Sequence, residues 1–148
     1  MIGRLSISVA LAVAGGIAWF TAGAAQDSLD YEFFKRRVEP IFLTKKVGHT
    51  RCVVCHAESN NAFRLEKLSP GANGWTEEQS RRNFEVVSRL VTPGDPTSSR
   101  LLLHPLSAEA GGDRFHSGGR QFTSQNDPDW LVLADWVRNA KTNASTTR

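Results

Sequence analysis

The sequence predicts an all-α domain of short helices and long loops, and three observations predict it. Apolar residues recur at helical steps in several short segments, each bounded by a cap, a proline or a run of turn residues. Strand-like alternation of any length is missing, and so is an internal repeat. Third, the first half of the chain holds one chemically distinctive turn, Cys52-Val53-Val54-Cys55-His56. With 148 residues, the chain is long enough for one domain with a modest core.

The opening stretch stands apart from that domain. No charged residue occurs between Arg4 and Asp27, and Leu5 to Ala25 is almost wholly apolar or small. Ala22-Gly23-Ala24 fits a small-x-small cleavage site, so residues 1–25 read first as a secretory signal peptide. The second reading is an uncleaved N-terminal membrane anchor, since about 20 apolar residues span a bilayer. Either way Arg4 stays on the cytoplasmic side and residues 26–148 are exported, to the periplasm or the outer face of the cytoplasmic membrane.

From Ser28 a helical pattern runs through Leu29, Phe33, Phe34, Val38, Ile41 and Phe42, and Pro40 is expected to divide it into two pieces. Lys45 to Arg51 forms a polar approach to the cysteine turn. After it, Phe63, Leu65 and Leu68 restore an apolar face, and Pro70 to Gly74 is a loop. Thr76 and Gln79 form a capping box behind Trp75, opening a helix with Phe84, Val87, Leu90 and Val91 on one stripe. Asp95 and Pro96 start the next helix, which carries Leu101, Leu102 and Leu103 and ends near His104 and Pro105. Glu109 to Asn126 is a long glycine-bearing loop, and a loop of that length in a compact domain is functional or disordered. Asp127 as N-cap and Pro128 at the first helical position open the last helix, with Trp130, Leu133, Trp136, Val137 and Ala140 on its inner face. The tail 141–148 is expected to fray.

The Cys52-Val53-Val54-Cys55-His56 turn has the spacing of a c-type haem attachment site. Two thiols two residues apart reach the two vinyl groups on one side of a porphyrin, and the next histidine reaches the iron. A thioredoxin-like pair would want a βαβ context, a zinc site would want four ligands, and a plain disulfide would leave His56 unexplained. The expected cofactor is therefore a single haem c with its iron, bound by Cys52, Cys55 and His56. The sole methionine is Met1, in the leader, so the distal position is either held by a histidine or left open. His116, in the glycine-rich loop beside Phe115, is the first candidate, His104 the second, and His49 the weakest because it lies three residues before Cys52. Arg114 and Arg120 flank His116 and are candidates to meet the haem propionates.

Charge narrows the partners. Lys and Arg number 18 against 15 Asp and Glu. Without Arg4 the balance is 17 against 15, or +2, and two propionates would bring it near zero. The basic residues form no stripe, so no nucleic-acid partner is expected.

Several segments together resemble the planctomycete-type cytochrome c domains that also occur in acidobacteria. They are Val38-Glu39-Pro40-Ile41-Phe42, the Cys52–His56 turn, Pro93-Gly94-Asp95-Pro96 with Ser99 to Leu102, His116 to Phe122, and the helix around Trp136. The resemblance runs from about Val38 to Ala140. It implies a cytochrome c-like fold enclosing one covalently attached haem, and an electron carrier rather than an enzyme. The chain departs from many members by offering histidine where they place methionine near the glycine-rich loop. The expected function is electron transfer to redox partner proteins through a bis-histidine haem. The alternatives are haem-based gas binding or sensing, or a redox subunit docked to a membrane electron-transfer complex. Contact with the membrane itself is expected only if residues 1–25 are retained.

Overall fold

In a computed structural model, residues 29–138 are described. The leader at 1–25, its cleavage site, the inner-face position Ala140 and the tail 141–148 lie outside them. Among the described residues all regular elements are helical, apart from an isolated parallel bridge between Leu106 and Phe122. The expected all-α class therefore stands.

The first helix, α1 (residues 31–43), is continuous, in contrast to the two pieces expected at Pro40. It begins as α-helix over Tyr31–Phe33, widens to a π-helix over Phe34–Val38, and returns to α-helix over Glu39–Leu43. Asp30 caps it, accepting from the Phe33 amide at 2.9 Å. A proline inside a helix removes one amide and crowds the carbonyl four residues back. The π turn immediately before Pro40 accommodates both, with the Glu39 amide bonding the Phe34 carbonyl five residues back.

The turn Cys52–His56 is itself a short helix, α2. Next comes α3 (Glu77–Ser88), started by the Thr76 and Gln79 capping box. It ends before Leu90 and Val91, which follow in a turn, so the apolar stripe outruns the helix. Asp95 caps a single 3-10 turn, Pro96–Ser98, which leads into α4 (Arg100–Leu103). A second 3-10 turn, Ala108–Ala110, sits at the start of the expected loop, and α5 (Pro128–Val137) closes the described chain. Asp127 caps α5, accepting from the Asp129 amide at 2.9 Å.

The core is aromatic where α1, α3 and α5 meet. The Phe34 ring lies 5.3 Å from both Phe84 and Trp136, and Phe84 lies 6.0 Å from Trp136. Phe34, Val87, Leu102, Leu133 and Trp136 are all but inaccessible to solvent. Each such side chain contributes about 1.5–3 kcal/mol of burial, which offsets the cost of ordering so many loop residues. Trp136 Nε1 donates to the Asp30 carbonyl at 2.9 Å, joining the two ends of the described chain. Phe42 extends the aromatic contacts toward the cysteine turn through Phe63, 5.2 Å away.

Candidate functional site

The cysteine turn is held from both sides. Upstream, Lys46 pairs with Asp127 at 3.1 Å and Asp129 at 3.0 Å, tying the approach to the N-terminus of α5. Within α2, Val53 is buried in the core while Val54 and Cys55 face outward and Cys52 is half-buried. Neither sulfur is in a disulfide. Burial pushes the Cys52 thiol up to about 11, so it is a protonated thiol at neutral pH.

Downstream, the chain doubles back against His56. The Leu65 amide donates to the His56 carbonyl at 3.0 Å, and the His56 Nδ1–H donates to the Phe63 carbonyl at 2.7 Å. The Phe63 ring lies 4.3 Å from the imidazole. Burial holds the His56 pKa below its ordinary value, so the ring is neutral at pH 7. With Nδ1 protonated and engaged, the lone pair of the neutral ring is on Nε2. An imidazole oriented by a carbonyl at one nitrogen and offering the other is how histidine ligands are set up.

The facing wall is the loop that carries His116, and its two ends are fixed to the segment after α4. At one end, the Asp113 amide donates to the Leu103 carbonyl at 3.0 Å and the Gly112 amide to Ser107 at 2.9 Å. At the other end, the amides of Gln121 and Phe122 donate to the Pro105 carbonyl at 2.9 and 3.2 Å. Gly112 has to be glycine, because a Cβ there would fall 2.1 Å from the Leu106 carbonyl oxygen. Gly119 turns the chain back with φ of 78°, so that its carbonyl accepts from His116 Nδ1–H at 2.5 Å. His116, like His56, thus has Nδ1 tied to a backbone carbonyl.

Between these walls lies a cavity of about 300 Å³. Cys52, Cys55 and His56 line it from one side and His104 and His116 from the other, over an apolar base that includes Ile41, Phe42 and Leu133. The five residues singled out in the sequence thus border a single space. His49 does not line it, and neither do Arg114 and Arg120. Arg120 instead donates to the His104 carbonyl at 3.2 Å. The lining arginines are Arg51 and Arg100, and Ser59 Oγ is buried at the lining without a hydrogen-bond partner among the described residues. Sequence patterns offered no signal for Ser59 or Arg100. Arg51 is adjacent to Cys52 and was open to being noticed for that reason alone.

The two facing imidazoles are nearly parallel. His56 and His116 have ring centres 6.3 Å apart and an interplanar angle of 15°. An imidazole nitrogen binds a first-row metal at about 2.0 Å and lies roughly 1.1 Å from the centre of its own ring, whose bonds are about 1.33 Å. Two imidazoles on opposite sides of one ion therefore have centres about 6.2 Å apart by the same bond lengths. His104 is differently placed, 4.9 Å from His116 and at 83° to it. The residues fit a haem: two thiols on one edge, two facing imidazoles, an apolar base, and cations and a free hydroxyl for carboxylates. Among the described residues no group of three or more His, Cys, Asp or Glu side chains converges as a metal cage of its own.

Comparison with family models, with curated proteins and with solved structures finds no match for this chain.

Proposed function

We propose that this chain is an exported c-type cytochrome that carries electrons through one covalently bound haem with two histidine ligands. The observation that carries this reading is the pairing of the Cys52-Val53-Val54-Cys55-His56 turn with a second, nearly parallel imidazole, His116, across one cavity. When bound, the haem iron supplies a one-electron couple. Cys52 and Cys55 would hold the group as thioethers. His56, locked by Phe63, would occupy the proximal position, and His116, locked by Gly119, the distal one. The apolar base around Ile41, Phe42 and Leu133 would keep water from the bound group. Arg51, Arg100 and Ser59 offer donors to the propionates. Two imidazoles in place of imidazole and thioether favour a lower reduction potential than in methionine-ligated carriers.

Residues 1–25 would direct the chain across the cytoplasmic membrane, where its partners are redox proteins or a membrane electron-transfer complex to which it docks as a subunit. The resemblance to planctomycete-type cytochrome c domains supports the carrier role over an enzymatic one. Gas binding or sensing is the second reading. It draws on the exposure of the loop around His116, where Phe115, Ser117, Gly118 and Gly119 all face solvent. A displaceable His116 would open the distal position.

Visible spectra of the purified protein with and without carbon monoxide test both readings. Electron carriage expects a low-spin spectrum, unchanged by the gas, whose pigment stays with the chain after denaturation. A ready carbon monoxide complex of the wild type would favour gas binding, and absence of any pigment would overturn both.

A further inference from the structure

The distal wall carries two histidines, and the ligand assignment uses one of them. His104 is the best-anchored residue of that wall. Its Nδ1–H donates to Asp113 Oδ2 at 2.7 Å, and its own carbonyl accepts from Arg120. Both neighbouring carbonyls, of Leu103 and Pro105, bind opposite ends of the loop that carries His116. Its backbone amide donates to the Arg100 carbonyl at 3.0 Å, so it also caps α4.

His116 is held more locally. Among the described residues its ring bonds to Gly119, three residues along the same exposed loop, and this orients the ring relative to the loop alone. The outer torsion of a histidine side chain has broad minima, so contacts rather than intrinsic preference must set the plane. From outside the loop the nearer ring is His104, which stands perpendicular to that of His116 at 4.9 Å, against 6.3 Å for His56. A flat ring placed edge to face obstructs rotation of its neighbour, and the carboxylate of Asp113 keeps His104 from turning out of the way.

We propose that His104, braced by Asp113, is the positioning residue that sets the His116 imidazole plane parallel to that of His56. The proposal rests on the reading of His56 and His116 as the two axial ligands. The angle between axial imidazole planes governs the electronic asymmetry of low-spin ferric haem. Parallel planes give a rhombic electron paramagnetic resonance spectrum with moderate spread of g values, and crossed planes give a much larger spread. In this protein His104 therefore tunes the electronic state of the iron without touching it.

The test is the ferric resonance spectrum of the holoprotein, recorded with its visible spectrum, for wild type, His104→Leu, His104→Phe and Asp113→Asn. Leucine fills space but has no flat edge, whereas phenylalanine restores one. Wild type is expected to be rhombic and all three variants to remain low-spin. His104→Leu should shift the largest g value upward or split the signal into several populations. His104→Phe should return it toward wild type, and Asp113→Asn should shift it in the same direction by less. Wild-type g values in both His104→Leu and Asp113→Asn would overturn the proposal and leave the ligand assignment standing. If His104→Leu does not fold, Asp113→Asn decides alone, with unchanged g values counting against the proposal. A high-spin His104→Leu beside a low-spin His116→Ala would make His104 the ligand and overturn both claims. A high-spin wild type would also overturn both.

Discussion

His56 and His116 face each other at 15° across a cavity, each with Nδ1 tied to a backbone carbonyl. The two carbonyls come from unrelated structures. Phe63 belongs to the strand of chain that folds back on α2, and Gly119 to a left-handed turn in the loop. Two independent local devices thus arrive at the same tautomer, which is what a pair of ligands to one ion requires.

The first prediction concerns the thioethers. Cys52→Ala or Cys55→Ala should weaken covalent retention of haem, and the double variant should abolish it. Haem staining of a denaturing gel reads this directly. Full stain in the double variant would refute covalent attachment at this turn.

His116→Ala should give a high-spin haem that binds carbon monoxide, whereas His104→Ala should keep the low-spin visible spectrum. The reversed pattern would assign the distal position to His104. Spectra of the two ferrous proteins under the gas are sufficient to decide.

Removal of the Asp127 side chain should destabilise the fold by about 1–2 kcal/mol, the usual worth of a helix cap. Asp127 caps α5 and also pairs with Lys46, so its loss loosens the approach to the cysteine turn. Denaturant titration of Asp127→Ala should show a lower midpoint, and Asp127→Asn should recover much of it.

Glu39 is buried, with Ser80 Oγ donating to one carboxylate oxygen at 2.9 Å and the other oxygen unbonded. Burial raises its pKa above the ordinary glutamate value. The folded state therefore holds the proton more tightly than the unfolded one. Ionisation costs stability as pH rises from the ordinary carboxylate range through the folded pKa. Glu39→Gln should accordingly gain stability relative to wild type as pH rises from about 4 to 7. Melting curves across that range would show it, and an advantage independent of pH would contradict the assignment to ionisation.

The sequence was most informative where chemistry or capping is local. The Cys52–His56 turn, the Thr76 and Gln79 box and the Asp127-Pro128 start are each read from a few adjacent residues, and each forms where expected. The Glu109 to Asn126 loop was identifiable by its glycines, but its closure was not. That depends on carbonyls of Leu103, Pro105 and Ser107 meeting amides up to seventeen positions away. The glycines beside His116 ranked it ahead of His104, which adjoins Pro105, but neither is fixed by motif spacing as His56 is. What separates them is the angle each ring makes, and that emerges only from packing. The arginines failed for a related reason: Arg114 and Arg120 are near His116 in sequence, yet side chains reach the cavity from Arg51 and Arg100 instead.

The π turn at Phe34–Val38 bears on how the length of this segment can change. A π turn is an α-helix holding one residue more than its pitch needs. Its mark is the bond from the Glu39 amide to the Phe34 carbonyl five residues back, where an α-helix would bond four back. Deleting one residue within the turn would restore α spacing with Phe33, Phe34, Ile41 and Phe42 still on one side. The same deletion at residue 39 or 40, with the π turn kept, would swing Ile41 and Phe42 by about 100° away from the cavity. Of all length changes in α1, loss of a residue at the π turn is therefore the one this helix can absorb.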